Sequence, residues 1–93
     1  MSAHLSTLRR GWEQAEREWA TAFRREGYDP ARAADGYEQA AKLLERADRG
    51  GWEWSPLAWI VRAEALGYLG SGERITAATL RHRGEACRAR VAA

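Results

Sequence analysis

Cysteine occurs once in the chain, at Cys87, so no internal disulfide and no cysteine-based zinc cluster can form, and a reducing compartment suits the composition. Lysine also occurs once, at Lys42, within a total of 15 Lys and Arg. Arginine therefore carries nearly all the positive charge, a bias typical of high-GC bacterial or phage genomes. No apolar run approaches the roughly 20 residues that span a bilayer, and the first residues, "MSAHLSTLRRGW", contain no apolar secretory segment. The expectation is a cytoplasmic protein with no membrane partner. A glycine-rich phosphate loop is missing too, because Gly70-Ser71-Gly72 follows a helical segment and no lysine accompanies it.

Groups suited to catalysis are equally scarce. Besides the N-terminal amine, only His4, His82 and Cys87 titrate near neutrality without help, and His82 and Cys87 project about 140° apart from one helix, too far for a nucleophile–base pair. Glu13, Glu16, Asp35, Glu38 and Glu45 alternate with arginines at helical spacing and read as solvated faces with i,i+4 pairs. His82 sits among alanines with no second ligand nearby, so no metal site is expected. The chain reads as a non-enzyme without cofactors.

What is present is a strong helical pattern. At 93 residues, with 45% hydrophobic and 30% charged residues, the chain has the balance of one folded domain. Leu5, Leu8, Trp12, Ala15, Trp19 and Ala22 recur at steps of three and four, which predicts an amphipathic helix over 3–26 that Gly27 stops. Asp29 as N-cap and Pro30 as first helical residue start a second helix, 30–49, with apolar positions at Ala33, Tyr37, Ala40, Ala41, Leu44 and Ala47. Ser55 and Pro56 repeat that cap for a third helix, 56–69, where Trp54 and Trp59 occupy the staple positions. Trp52 has no such structural task and is the candidate displayed aromatic.

The third helix, "PLAWIVRAEALGYL", is apolar nearly all round and is expected at the centre of the domain. A fourth, 73–91, sets Leu80, Cys87, Gly84, Ala77 and Val91 on one face and Ile75, Ala78, His82, Ala86 and Ala89 nearly opposite. Arg74, Arg81 and Arg88 form one flanking row, and Arg83 and Arg90 another. Gly84 implies close approach of another backbone, expected near Gly67. Short connections make sequential helices antiparallel neighbours, giving an all-α, compact four-helix domain of two helical hairpins.

Two family resemblances accompany this reading. The order Ala33, Tyr37, Ala40 in "RAADGYEQAAKLLERA" resembles the second helix of a tetratricopeptide unit, and Trp59, Ala63, Leu66 and Gly70 stand where its first helix has Trp, small, bulky and Gly positions. Ile75, Thr79 and His82 depart from that pattern, and the hairpins are offset by more than the 34-residue period, so the resemblance covers helix pairs rather than an array. It implies a peptide-binding groove. The "TLR" stretch of "GERITAATLRHRGEACRAR" is similar to the DNA-reading helix of MerR-like proteins, although the helix before it is too long and apolar for that fold and no wing follows.

Tryptophan and arginine are the residue types most enriched at interface hot spots, and this chain has five tryptophans. The function expected is a small protein-binding module, an adaptor or inhibitor, similar in size to helical phage and mobile-element inhibitors such as anti-CRISPR proteins. Trp52, Arg74, Arg81, Arg83, Arg88 and Tyr68 are the expected partner-binding residues. A homodimer through helix 73–91 is a variant of this reading. The alternative is a nucleic-acid-binding protein whose arginine rows meet phosphates, with a sequence pI of about 9.1 and with Glu73 and Glu85 interrupting the basic surface.

Overall fold

The apolar spacing of the first segment produces helix α1, Ser2–Arg25, which buries Leu8, Trp12, Ala15, Trp19 and Ala22 along one stripe. In the computed structural model, residues 2–49, 55–69 and 72–93 are described, with side chains from residue 5 onward. His4, Trp52, Trp54 and the Gly70-Ser71 pair therefore lie outside the described side chains, and with them the expected Trp54–Trp59 staple. Gly27 lies in the turn after α1 and does not adopt the left-handed conformation of a glycine cap.

Helix α2, Pro30–Asp48, starts as its sequence predicts: the Asp29 side chain accepts a hydrogen bond from the Arg32 amide at 3.2 Å, and Pro30 follows. Its buried residues Ala33, Ala34, Tyr37, Ala40, Ala41 and Leu44 cover a broad arc, because α1 packs on one side and α4 on the other. Small residues set these separations. A Cβ on Gly36 would sit 3.0 Å from the Ala22 Cβ, and one on Gly84 would sit 3.3 Å from the Tyr37 Cβ and 3.4 Å from the Ala34 carbonyl oxygen. Gly84 thus serves close helix packing as expected, but its neighbour is α2 rather than Gly67.

Helix α3, Pro56–Leu66, has Ser55 as its N-cap, accepting from the Ala58 amide at 3.1 Å. It ends three residues before its expected limit. Gly67, at φ 71°, takes a conformation that side chains resist, and the chain leaves the helix there. Tyr68–Leu69 then forms strand β1, antiparallel to β2 at Glu73–Arg74, with Tyr68 opposite Arg74 and Leu69 opposite Glu73. Leu69 and the following Ile75 point into the core. Helix α4, Ala77–Ala92, begins later than residue 73 because Thr76 is its N-cap: Thr76 and Thr79 exchange side-chain-to-backbone hydrogen bonds in a capping box.

The result is an all-α domain of four packed helices carrying one minimal hairpin. The expected centre is wrong. Helix α2 occupies it, while the more apolar α3 lies on the flank and packs chiefly against α1. Alanine and glycine allow α2 to be enclosed from two sides, whereas only one face of α3, Ala58, Val61, Arg62 and Leu66, is covered.

Two polar links hold the flank. Arg62, 8% exposed, donates from Nε and Nη2 to the Asp48 carboxylate at 3.1 and 3.0 Å and from Nη1 to the Ile75 carbonyl at 3.3 Å. Asp48 also accepts from the Trp12 indole at 2.9 Å. One carboxylate therefore joins α1, α2 and α3. The Trp19 indole donates to the Leu66 carbonyl at 2.9 Å, satisfying a terminal acceptor of α3 from within α1.

Candidate binding surface

Helix α3 turns one face to α1 and the other to solvent. The solvent side presents Leu57 at 58% exposure, Ile60 at 55% and Trp59 at 40%, and Tyr68 of β1 continues the patch at 55%. Glu64 is the single exposed charge on this helix. Beside the patch lies a shallow cleft of about 60 Å³, walled by Trp59, Tyr68, Gly67 and Arg74. Such a volume accepts the end of a side chain and is well below the several hundred Å³ of small-molecule sites.

The hairpin builds the cleft. Tyr68 and Arg74 are directly opposed across the strands, so their side chains project from one face, while Leu69 and Glu73 belong to the other. Arg74 reaches over Trp59, its guanidinium carbon 5.8 Å from the ring centre, and the buried Arg62 guanidinium lies 5.9 Å from the same ring.

The six expected partner-binding residues are distributed unevenly. Arg74 and Tyr68 stand together in the cleft, and Trp52 is outside the described residues. Arg81 is held by two carboxylates of α2: Nε donates to Glu38 at 3.1 Å, and Nη1 and Nη2 donate to Glu45 at 2.7 and 2.9 Å. These bonds raise the Arg81 pKa and lower that of Glu45 below its ordinary value. Arg83 donates to Glu26 at 2.7 Å and stacks 5.0 Å from the centre of Phe23. Arg88 approaches Asp35 at 3.9 Å. The rows on α4 are stitched largely to α1 and α2.

Glu26 is the busiest of these acceptors. It receives Arg83, a short hydrogen bond from the Tyr37 hydroxyl and, at 3.9 Å, Arg90. Burial first, then the Glu26 carboxylate, pushes the Tyr37 phenol well above its usual pKa. The nearby Cys87 thiol is buried, and desolvation raises its pKa as well, the opposite of an activated nucleophile. His82 is exposed on the far side of α4, with Ala78, Ala86 and Ala89.

Leu57, Trp59 and Ile60 were not among the expected site residues. Their signal was the all-round apolar character of 56–66, which is consistent with a core helix or with a helix awaiting a partner. Among the described residues no helix is long and apolar enough to cross a membrane, and no three His, Cys, Asp or Glu side chains are grouped to hold a metal ion. No family, curated protein or solved structure matches this chain.

Proposed function

We propose that the protein is a non-catalytic protein-binding module of the cytoplasm, an adaptor or an inhibitor of the phage or mobile-element kind, that docks through the outer face of α3 and the adjoining hairpin. One observation carries this reading: the most apolar helix of the fold is its least covered, and Leu57, Trp59, Ile60 and Tyr68 are exposed together. An apolar patch of a few hundred Å² on a small protein marks an interaction surface more often than it marks chance exposure. Tryptophan, tyrosine and arginine meeting there are the residue types that dominate interface energies.

The arginine rows of α4 support the nucleic-acid alternative less well. Arg81 and Arg83 already hold carboxylates, so a phosphate would have to displace an existing ion pair. A homodimer through the outer face of α4 would rest on Ala78, Ala86 and Ala89, side chains too small to bury much area.

The test uses paired baits, wild type and Leu57→Ser/Ile60→Ser, with every captured protein then purified and titrated. A partner that binds wild type at similar affinity in low and physiological salt, and the double variant at least tenfold more weakly, supports the reading. Fluorescence anisotropy with random duplex DNA supplies the contrary outcome. Steeply salt-dependent binding that Arg81→Glu/Arg88→Glu abolishes and Leu57→Ser/Ile60→Ser leaves intact would replace the α3 surface with the α4 rows.

A further inference from the structure

The α3 surface carries a cation with no carboxylate of its own. Arg81 and Arg83 are ion-paired and Arg62 is neutralised by Asp48, whereas Arg74 forms no ion pair with any described residue. The nearest acids in sequence point elsewhere. Glu73 belongs to the other face of the hairpin, and Glu64 stands about 140° around α3 from Trp59. Its charge is instead placed over the Trp59 ring, which positions the planar guanidinium at the mouth of the cleft.

We propose that this cleft is the polar anchor of the docking surface and takes a carboxylate from an acidic amphipathic helix, whose apolar side chains seat on Leu57 and Ile60. The inference rests on the reading of α3 as a protein-docking face and names the chemistry of its partner. An arginine fork matches a carboxylate in two parallel hydrogen bonds, and the surrounding Trp59, Tyr68 and Ile60 would exclude water from that pair once the partner is seated. A polyanionic backbone suits the site less, since a single unpaired cation in an apolar surround offers one contact where phosphate binding draws on several. Stacking on Trp59 also orders Arg74 before the partner arrives, which lowers the entropy lost on binding.

The probes are three helical peptides with one leucine-lined face, identical except for a central Glu, Gln or Lys, titrated into the full chain while the Trp59 indole and Arg74 Nε resonances are followed. The Glu peptide should bind about tenfold more tightly than the Gln peptide and shift both resonances. Arg74→Gln should erase that preference without changing the affinity for the Gln peptide or the melting temperature, and Arg74→Glu should transfer the preference to the Lys peptide. Equal affinities of the Glu and Gln peptides, both seated on Leu57 and Ile60, would overturn the carboxylate anchor and leave the docking function standing. Failure of all three peptides to bind at millimolar concentration would overturn the proposal. So would a dimer in sedimentation that Leu57→Ser/Ile60→Ser dissolves, since the occupant would then be a second copy of this chain.

Discussion

The α1–α2–α4 stack and the α3–hairpin flank solve the problem of burial in opposite ways. The stack is built largely from alanine, with glycine at its tightest contacts and ion pairs such as Arg81 with Glu45 and Arg83 with Glu26 along its seams. The flank is built from large apolar residues, yet it is held by one covered face, one buried arginine and one indole-to-carbonyl bond. Hydrophobicity alone therefore does not place a helix at the centre. What decides is whether two neighbours can approach it, and the small residues of α2 permit that while the broad side chains of α3 do not.

The comparison is broken most severely by removing the residue that serves both regions. Trp12 is fully buried and its indole also holds Asp48, so Trp12→Ala should cost about 4 kcal/mol in urea unfolding and lower the cooperativity of the transition. Arg62→Ala should cost about 3 kcal/mol, because it strands the Asp48 carboxylate and the Ile75 carbonyl. Its signature in hydrogen exchange is regional: amides of α3 and the hairpin lose protection while those of α2 and α4 keep theirs. A uniform loss would show that stack and flank unfold as one unit, and the contrast drawn above would fall.

A smaller effect sharpens the stack side. The Tyr37 phenol has an ordinary pKa of 10.0 and is raised in the folded state, so the stability due to keeping it neutral is complete below pH 10 and drains away as pH climbs through the raised value. Tyr37→Phe should cost about 1 kcal/mol at neutral pH and flatten the alkaline limb of a stability-versus-pH curve. An unchanged limb would assign alkaline unfolding to another group. The smallest effect belongs to the flank: Leu57→Ser/Ile60→Ser should change stability by less than about 0.5 kcal/mol, since both side chains are already in water. A loss comparable to that of Trp12→Ala would mean that they are covered in the free protein.

Three helices and both Asx- or Ser-type caps were legible in the sequence, because Asp29-Pro30 and Ser55-Pro56 fix helix starts locally and the Trp12, Ala15, Trp19 spacing fixes a buried stripe. The hairpin was not. Tyr68 and Leu69 continue the apolar run of α3, and only the positive φ required at Gly67 separates a last helical turn from a strand. The arginines of α4 were legible as rows, but their use was not, since the carboxylates that receive Arg81 lie 43 and 36 residues away on α2. Arg74 and Tyr68 were both singled out from sequence; their meeting across Trp59 depends on the register of two two-residue strands, which no local pattern encodes.

The bond from the Trp19 indole to the Leu66 carbonyl has a consequence for how the outer surface behaves. Were α3 to swing outward, a buried N–H would lose its acceptor at the same moment that the helix end lost its donor, so both losses oppose the same motion. The arriving molecule thus meets a platform already in its final shape, and the association should be limited by the fit of what arrives and not by waiting for α3 to reorganise. Trp19 is also a fluorophore, so the same bond makes its emission an internal gauge of whether that platform stays seated.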